Sequence, residues 1–588
     1  MTELKVVPLE TDVLIIGGGL AGCMAAIKAS EERDLKVTLV DKSNTLASGC
    51  AASGIDHFWA YIPPIHEKMG YTIEDMAEDH RLGIAFRFLR KDLFHLVAGT
   101  AYERVLDLER FGLNFRYEDS KAPGKFRIVH QFHSVPDTFN WDGKPVKVKL
   151  TQEVKRRGVQ IVNRVQMTDL IVTDGQIAGA VGVGTLTGDI HFFKAKAVVL
   201  SSGRSNRLGR NPTGIDFNTR LASTLSGDGT SMAINVGLPI INIEFLGSRS
   251  PAPCGGYNPP YGDPRNTVQP AARIVDGKGN VVVQRTQFYD WESLGKGKID
   301  AAETRRKWLE ERNVWKAGKG SLGKRIAQGE GPFYLDFAEA TGDEADYIRW
   351  SISNEGKGTQ FLRYFEGEEG LNLRDNAQEY SGWWSRELAG TAAKGLWVDK
   401  DLETGIRNLY GAGDEVGGVP WAAAPGAITM GWHAGAMAAR RAKAEKTHLP
   451  ASEDKVKVRR EFCSGILGRD RGFHWKEVEL YVQNLIDFYC GDMRGEALLK
   501  RGIERIEYAR AAALRARNPH ELARALEVRS IIDNAELVLR SSLERRETRP
   551  PFEFRRAEYP DQDDKNWLCF LAIQRDGEKV VFSKKPIE

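Results

Sequence analysis

A glycine pattern near the N-terminus has the residue types and the spacing that bind the diphosphate of a dinucleotide. Gly17, Gly19 and Gly22 form G-x-G-x-x-G between the apolar run 13–16 and a segment with helical periodicity. In this pattern the first glycine permits a tight turn, the second admits the diphosphate, and the third lets the helix pack closely. The amides at the helix N-terminus then face the phosphate charge.

An acidic residue stands where such a site needs a partner for the ribose. Asp41 follows Gly22 by 19 residues, at the end of a second β-branched run, 37–40. A carboxylate here can accept hydrogen bonds from the hydroxyls of the adenosine ribose. The strands, glycines, helix and acid together predict a βαβ dinucleotide site. The alternative is a glycine-rich structural turn with an exposed aspartate.

The C-terminal half carries a second glycine-rich segment. Residues 408–414 are Asn-Leu-Tyr-Gly-Ala-Gly-Asp, which looks like the strand and turn that flavoproteins use to hold the ribityl chain. This segment favours FAD over NAD as the dinucleotide. No second complete G-x-G-x-x-G with strand context is found, so the sequence does not indicate direct use of NAD(P)H.

Composition narrows the class of protein. The 588 residues include 83 Lys+Arg and 80 Asp+Glu, a net charge of +3, which argues against a nucleic-acid groove binder. Six cysteines lack C-x-x-C spacing, so the sequence predicts no zinc ribbon, ferredoxin-type cluster or other metal site. It contains no signal-like segment and no apolar run of about 18 residues. We therefore expect a cytoplasmic protein without an integral membrane segment.

Periodicity predicts an α/β fold built from four segments. Short runs at 160–162, 169–172, 177–183, 189–194 and 197–201 predict an antiparallel meander beside a parallel sheet. A Pro/Gly/Trp-rich stretch indicates an inserted domain, and Asn518-Pro519 is expected to start an amphipathic helix. The predicted organisation is a Rossmann-like FAD-binding domain at 1–240 and 392–445, an inserted α+β capping domain at 241–391, and a helical C-terminal domain with an irregular tail at 446–588.

Several further motifs occur in the order found in one superfamily. They are DVLIIGGGLAG, VDKS, SGCAASG at 48–54, AVVLSSG at 197–203, LSGDGTSMA at 225–233, GPFYLDF at 331–337, NLYGAGD at 408–414 and the tail ERRETRPPFEFRRAEYPDQDDKNW. On these motifs the chain resembles the flavoprotein subunits of fumarate reductase, succinate dehydrogenase and, more closely, adenylylsulfate reductase. The resemblance extends over nearly the whole chain.

The resemblance implies FAD as the cofactor and suggests which residues hold it. The matching positions are Gly17, Gly19, Gly22, Asp41, Lys42 and Ser43 at the adenosine end; Ser48, Gly49, Ala52 and Gly54 along the flavin; Ser202, Gly203 and Asp228 near the adenosine end and phosphates; and Gly413 and Asp414 at the ribityl chain or diphosphate. The helix entered at Gly426, Ala427 and Ile428 would direct its N-terminal amides at the flavin O2 and stabilise negative charge there.

Ser48 stands where succinate dehydrogenases carry the histidine that links FAD covalently. The resemblance therefore implies a non-covalent flavin.

The residues that hold anionic substrates in the family are replaced in this chain. The dicarboxylate enzymes carry a histidine, and adenylylsulfate reductases an arginine, where this chain has Leu246. The proton-donating arginine of the dicarboxylate enzymes maps to Gly320, and a substrate histidine of adenylylsulfate reductases maps to Trp421. These replacements predict a pocket that is less cationic and more apolar than the substrate pockets of the family. It predicts a small, weakly anionic substrate that is cyclic or aromatic.

The candidates for the chemistry lie just after the flavin-contacting segment. His57, Trp59 and Tyr61 are expected to project towards the reactive face, where His57 could donate or accept the proton that accompanies hydride transfer. The alternative for His57 is a histidine that only hydrogen-bonds the FAD or the core. Cys50 is interpreted as a small packing residue.

Three further residues are candidates for binding the substrate. Trp421 would stack on a flat substrate, or else pack between domains. Arg249 and Arg285 are the cations nearest in sequence to the expected pocket wall, with solvated surface arginines as the alternative.

We therefore predict an FAD-dependent oxidoreductase that transfers a hydride between flavin N5 and its substrate. Two alternatives remain open: an adenylylsulfate reductase catalytic subunit, and a flavoprotein that only carries electrons. Because the chain has neither cluster spacing nor a nicotinamide motif, we expect a ferredoxin-like iron-sulfur partner and hence a hetero-oligomer.

Overall fold

The computed structural model describes most of the chain. The described residues are 4–52, 54–116, 124–129, 132–210, 222–246, 250–253, 273–283, 297–310, 329–355, 374–375, 377–383, 394–491 and 493–587. Arg249, Arg285 and Gly320, which the sequence analysis singled out, lie outside these residues.

Strands and helices alternate in the first half of the chain, and helices predominate after residue 420. The strands are β1 Val6–Ile16, β2 Val37–Asp41, β3 His57–Trp59, β4 Ile128–Val129, β5 Thr138–Asn140, β6 Gln160–Asn163, β7 Val165–Thr173, β8 Gln176–Gly184, β9 Ile190–Leu200, β10 Ile240–Ile241, β11 Ser250–Pro253, β12 Arg273–Asp276, β13 Val281–Val283, β14 Phe333–Asp336, β15 Gln378–Trp383, β16 Gly395–Leu396, β17 Leu409–Gly411, β18 Met493–Arg494, β19 Arg555–Arg556, β20 Phe570–Asp576 and β21 Lys579–Lys585. The helices are α1 Leu20–Ala29, α2 Pro63–Met69, α3 Ile73–Gly83, α4 Lys91–Arg110, α5 Val146–Arg156, α6 Asp228–Asn235, α7 Gly342–Glu355, α8 Ala423–Ala444, α9 Asp454–Leu467, α10 Trp475–Tyr489, α11 Glu496–Ala511, α12 Pro519–Glu544 and α13 Asp564–Trp567.

A seven-stranded sheet forms the centre of the fold, in the order β6-β2-β1-β9-β8-β7 with β17 paired to β9. Strands β6, β2, β1, β9 and β17 pair in parallel, whereas β7, β8 and β9 form an antiparallel meander. The run at 160–162, which was predicted to belong to the meander, is β6 and instead pairs in parallel with β2. The two runs predicted at 189–194 and 197–201 are one strand, β9. They are continuous because β1 begins at Val6, earlier than expected, and pairs with β9 from Ile190 to Leu200.

The inserted segment contains a second sheet. Its five strands have the order β11-β15-β14-β12-β13 and are antiparallel, and helix α7 follows β14. The described residues of this segment therefore combine strands with helix, as an α+β insertion requires.

The C-terminal helices pack around α12, which is buried over most of its 26 residues. Asn518 caps this helix by accepting a hydrogen bond from the Glu521 amide, and Pro519 is its first residue, as the sequence predicted. The tail expected to be irregular instead contains the hairpin β20–β21. The hairpin turns at Gly577, which has a φ of 61°, and β20 pairs with β10 in a four-stranded sheet.

None of the helices in the described part of the chain is both long enough and apolar enough to cross a membrane.

Candidate functional site

The glycine-rich turn predicted from the sequence connects β1 to α1. Gly17 has a φ of 103°, and a Cβ atom there would lie 2.4 Å from the carbonyl oxygen of Ser201. A Cβ atom at Gly22 would lie 1.7 Å from the carbonyl oxygen of Gly17, so the helix packs on the turn at a distance that only glycine allows. The turn borders a cavity, here called the glycine-lined cavity, whose wall includes Gly17, Gly19, Gly49, Gly54 and Gly203.

Two helices present N-termini without acidic residues at this cavity. The N-cap of α1 is Gly19, which has no side chain to cover the first amides, and the first turn of α1 contains no acidic residue. The first turn of α8 is also free of acidic residues, and Ala424 and Ala427 line the cavity. Both ends direct the partial positive charge of their backbone amides at the same space. This arrangement fits a ligand with negative charge at two places, such as a diphosphate and a flavin ring that accepts electrons.

Asp41 lies at the end of β2 and on the cavity wall, where the sequence predicted a ribose-binding acid. Its Oδ2 atom accepts a hydrogen bond from the Gly18 amide at 2.7 Å, and its Oδ1 atom accepts one from the Ser43 amide at 2.6 Å. The carboxylate therefore also joins the glycine turn to the loop after β2. Gly18, Asp41 and Ser43 are held together independently of any ligand.

Lys42 brings a buried positive charge to the same end of the cavity. Its Nζ atom donates to Asp228 Oδ2 at 2.7 Å and to Ser226 Oγ at 2.8 Å, and it lies 3.0 Å from Glu527 Oε1. Burial alone lowers the pKa of Lys42, but the charges of Asp228 and Glu527 outweigh it and raise the pKa. Sequence reasoning identified Lys42 and Asp228 but missed Glu527, because Glu527 is contributed by α12, almost 500 residues later in the chain.

The segment predicted to lie along the flavin crosses the glycine turn. The Ser48 Oγ atom donates to the Gly18 carbonyl at 2.9 Å, and a Cβ atom at Gly49 would lie 3.0 Å from the Gly19 Cα. Ser48, Gly49 and Gly54 line the cavity, whereas Ala52 is not part of its wall. Cys50 also lines the cavity, with its Sγ atom 3.8 Å from Asp414 Oδ2.

An ion pair that the sequence analysis missed lies on the cavity wall. Arg204 donates to Asp414 Oδ2 through Nε at 2.8 Å and through Nη2 at 2.6 Å. Asp414 is the predicted ribityl-binding acid, and both partners line the cavity. Arg204 directly follows the predicted Ser202-Gly203 pair, and this position next to a cofactor motif could have identified it from the sequence.

Glu415, the residue after Asp414, is a buried acid that the sequence did not predict. It accepts a hydrogen bond from the Ser202 hydroxyl at 2.6 Å. Burial raises the pKa of Glu415 to about 7; the negative charges of Asp228 and Asp414 add to the rise, whereas hydrogen bonds from Ser202 oppose it. Glu415 is therefore a carboxyl that changes charge near neutral pH.

Three residues that were predicted to bind the cofactor, Gly413, Gly426 and Ile428, lie outside the cavity wall. A Cβ atom at Gly413 would lie 2.9 Å from the Ala21 Cβ, so this glycine lets its turn approach α1. Gly426 and Ile428 are buried in the first turns of α8, on either side of the cavity-lining Ala427.

His57 lies on the cavity wall, as expected for a residue that handles a proton. Its Nδ1 atom is 2.5 Å from Oδ1 of Asp56, which is only 1% exposed. This carboxylate orients the imidazole and stabilises its protonated form. Asp56 contacts Nδ1, so Nε2 is the ring nitrogen of His57 that Asp56 does not contact. Sequence reasoning missed Asp56, although it is the residue before His57.

Trp59 does not project towards the cavity, contrary to expectation. Its side chain is completely buried, stacks on Phe94 with ring centroids 5.7 Å apart, and donates through Nε1 to the Trp421 carbonyl at 3.0 Å. Strand β3 alternates its side chains, but the core, not the cavity, surrounds both Phe58 and Trp59. Tyr61 is half-buried and donates to the Tyr71 carbonyl.

Trp421 lines the cavity and has a φ of 54°, a conformation rare for a residue with a large side chain. Leu246, the position of the family's anion-binding residues, is buried in the core outside the cavity wall. Its neighbour Glu244 is paired with Arg545 inside the protein at 2.5 Å. This segment therefore contributes a buried hydrophobic side chain and a buried ion pair to the core.

Two family models match the chain. The FAD binding domain matches residues 12–282, and the fumarate reductase flavoprotein C-terminal domain matches residues 480–588.

Individual relatives extend the match to almost the whole chain. A fumarate reductase (CoM/CoB) subunit from Methanothermobacter marburgensis is 25% identical over 415 residues, which are 70% of this chain and 68% of that protein. An uncharacterized FAD-dependent oxidoreductase of Methanocaldococcus jannaschii is 24% identical over 98% of both chains. Among solved structures, adenylylsulfate reductase from Archaeoglobus fulgidus has a TM-score of 0.83 at 22% identity and covers 99% of this chain and 97% of its own.

Proposed function

This chain belongs to the fumarate reductase and succinate dehydrogenase superfamily of FAD-dependent oxidoreductases, and we propose that it acts on a small, weakly anionic, cyclic or aromatic substrate. The reaction proposed is transfer of a hydride between the substrate and the flavin. The observation that carries the proposal is the contact of His57 with Asp56 on the wall of the glycine-lined cavity, to which Trp421 also contributes.

The cavity residues fit FAD. Bound FAD supplies the two-electron chemistry, accepting or donating a hydride at its N5 atom. The α1 amides and the glycine turn would hold the diphosphate, Asp41 the adenosine ribose, and Asp414 the ribityl chain. We propose that this binding is non-covalent, since Ser48 occupies the position of the family's linking histidine and has a hydroxyl that donates to Gly18.

His57 is proposed to move the proton. Its Nε2 atom would give a proton to, or take one from, the substrate atom beside the carbon that exchanges the hydride. Asp56 holds Nδ1 at 2.5 Å and so keeps the ring in one orientation through the reaction. The burial of Asp56 excludes water from that contact and strengthens it.

The proposed substrate class rests on the groups that line the cavity. A dianion or an adenylated sulfate needs several cationic or strongly donating side chains. On the wall, Arg204 is already paired with Asp414, and Trp421 stands where the resemblance places a substrate histidine of adenylylsulfate reductases. Leu246, at the other position that the resemblance matches to an anion-binding residue, lies in the core outside the wall. An adenylylsulfate reductase remains the second candidate function, favoured by the shared architecture over 99% of this chain.

The proposed electron partner is a ferredoxin-like iron-sulfur protein, which would make the functional unit a hetero-oligomer. Two points support it. The sequence has no second dinucleotide fingerprint for NAD(P)H and no cluster spacing of its own, and one matched relative is by name a single subunit of a fumarate reductase. Steady turnover with a reduced two-cluster ferredoxin, but not with NAD(P)H, would support this partner.

A comparison of two histidine variants tests the proton-transfer proposal. We expect His57→Ala to lower turnover with an artificial dye by about 10² to 10⁴ while FAD stays bound. Asp56→Asn keeps the size of the side chain but removes its charge, and should lower turnover less. His191→Ala is the control, because His191 lies on β9 outside the cavity wall. Unchanged turnover in His57→Ala, or loss of its flavin, would contradict the assigned role.

Fumarate and adenylylsulfate provide a separate test of the substrate class. Turnover of either at rates normal for enzymes, on the order of 1 to 1000 per second, would refute it. Less anionic cyclic compounds should perturb the flavin spectrum instead.

A further inference from the structure

Two aromatic side chains line the glycine-lined cavity, and one of them lies near the proposed proton donor. Phe132 and Trp421 are both wall residues, and the Phe132 ring lies with its centroid 6.1 Å from that of His57. Building on the proposed function, we infer that Phe132 and Trp421 form an aromatic wall for a flat ring substrate, and that a buried chain of Asp137, His133 and His80 holds the two wall segments in register. This inference adds Phe132 and the buried hydrogen-bonded chain to the site proposed above.

The buried chain joins the two wall segments directly. His133, the residue after Phe132, has its Nδ1 atom 2.5 Å from Asp137 Oδ2 and its Nε2 atom 3.1 Å from His80 Nδ1. His80 Nε2 in turn lies 2.6 Å from the carbonyl oxygen of Pro420, the residue before Trp421. His80, His133 and Asp137 are each 0% exposed. One end of the chain therefore holds the Phe132 segment and the other holds the Trp421 segment.

A count of protons shows how this chain can be buried without a net charge. Three hydrogen bonds in series need three protons, one in each gap. Two neutral imidazoles bring two, and the third compensates the carboxylate of Asp137. The three residues then carry no net charge, which costs less free energy on burial than an uncompensated carboxylate would. Thr138 adds a further donor to Asp137 at 2.9 Å. Because a carbonyl can only accept, His80 must donate through Nε2 to Pro420.

The Trp421 segment is held in a strained conformation, which requires such support. Trp421 and Ala423 have φ angles of 54° and 47°, both in the left-handed region. Strain of this kind persists only where the surroundings enforce it, and it concentrates at binding sites. Here Trp59 donates to the Trp421 carbonyl, and the Arg90 amide donates to the Gly418 carbonyl. His80 adds the third fixed contact, so the position of the indole is set from outside the cavity.

The chemistry of the wall defines the ligand class. Aromatic faces bind flat rings by stacking and bind saturated rings less well. Lys42 and Arg204 are cations on the cavity wall; Lys42 donates to Asp228, and Arg204 donates two hydrogen bonds to Asp414. The wall therefore fits a flat ring with at most one negative charge. Positioning by His80 acts through Trp421 and needs no contact of His80 with the ligand.

Equilibrium binding to the oxidised holoenzyme tests this inference without turnover. The probes are benzoate and cyclohexanecarboxylate, which share one carboxylate and differ in planarity, and the readout is the change in flavin absorbance. We expect benzoate to bind about tenfold more tightly, and Phe132→Ala and Trp421→Ala each to abolish that preference. Equal affinities for the two probes, or no saturable binding of either, would overturn the aromatic wall.

A double-mutant cycle tests the positioning role of His80. His80→Phe keeps the ring packing but removes the donor to Pro420, and should weaken benzoate binding roughly 5- to 50-fold. In a Trp421→Ala background the same change should have less than about a twofold effect. His80→Gln retains an amide donor and should restore most of the affinity. An equal loss in both backgrounds, or no rescue by glutamine, would refute the positioning role.

The two proposals fail in different ways. Failure of the proposed function would appear as a flavin that no candidate substrate reduces or oxidises. Failure of the aromatic wall would appear in these binding constants on a flavin that still turns over. FAD content, measured for each variant, confirms that the holoenzyme was the species titrated.

Discussion

Glu415 is a buried carboxyl whose charge changes near neutral pH. Its pKa of about 7 in the folded protein exceeds the value of 4.5 expected in the unfolded chain. Between these two values the folded state holds a proton that the unfolded state has lost. Rising pH therefore favours unfolding across this window, and the effect levels off above pH 7. The penalty reaches at most about 3 kcal/mol when Glu415 is fully ionised.

Glu415→Gln should remove this pH dependence. A glutamine can still accept a hydrogen bond from Ser202 but carries no charge at any pH. The variant should gain stability relative to the wild type between pH 5 and pH 8, by up to about 3 kcal/mol. Chemical denaturation at both pH values measures the difference. Glu578→Gln, at an exposed position in the β20–β21 turn, is the control and should show a constant difference. A constant difference for Glu415→Gln as well would contradict the assigned pKa.

At the residue level, sequence reasoning succeeded where a local pattern fixes a local geometry. The positions of Gly17, Gly19 and Asp41 follow from one strand, one turn and one helix. The prediction that Trp59 projects towards the cavity was wrong because its side chain packs against α4 and bonds to the Trp421 segment. A local sequence pattern contains no information on such distant partners. Asp56 could have been found, since an acid next to a candidate histidine is a visible signal. Arg204 became a functional candidate only when the structure placed it on the cavity wall, and Glu415 only when the structure placed it against the wall residue Ser202.

Helix α12 is the element that connects the C-terminal domain to the cofactor end of the cavity. Its Glu527 lies 2.6 Å from Arg207 and 3.0 Å from Lys42, and Arg207 is held from its other side by Glu479 of α10. All four side chains are largely or completely buried. Burial disfavours the Glu527 anion, but the charges of Arg207 and Lys42 outweigh burial and lower its pKa well below the usual range. Glu527 thus stabilises the fold above pH 4.5, and this contribution fades as the pH falls further.

Glu527→Gln should be strongly destabilising. It leaves Lys42 and Arg207 with fewer compensating charges inside the protein, at a cost of about 3 kcal/mol or more. Because Lys42 lies on the cavity wall, the variant should also bind FAD more weakly. Glu504→Gln on α11 is the matched control: its pair with Arg501 is more than half exposed, so the change should stay within about 0.5 kcal/mol. Equal effects of the two substitutions in urea denaturation would refute this role for α12.

Element types were predictable wherever periodicity and capping agreed. The start of α12 at Pro519 and the β7–β8–β9 meander follow directly from caps and turns in the sequence. The β20–β21 hairpin was missed, although the Asp-Gly turn at 576–577 is a hairpin signal. The aromatic and charged residues before it suggested an irregular tail. The pairing of β20 with β10 joins residues more than 300 positions apart, and sequence periodicity carries no information on such partners.

On the scale of the whole molecule, the glycine-lined cavity is assembled from segments far apart in the chain. The turn after β1, the residues after β9, the loop before α6 and the start of α8 all contribute wall residues. A ligand that fills this cavity contacts all of these segments at once. FAD should therefore stabilise the entire fold, and its stabilisation should depend on the adenosine half as well as on the flavin.

Removal and replacement of the cofactor should measure this linkage. Acid precipitation should leave a colourless pellet and a yellow supernatant, since Ser48 offers no imidazole for a covalent link.

The apoprotein should melt at a lower temperature than the holoprotein, and FAD at 100 times its Kd should restore about 2.7 kcal/mol of the free energy of unfolding. FMN is the matched control, because it has the same flavin and ribityl chain but lacks the adenosine that Asp41 is expected to bind, so it should restore much less. Flavin that remains with the denatured chain would contradict non-covalent binding, and equal stabilisation by FMN would show that the adenosine end of the cavity contributes nothing to affinity.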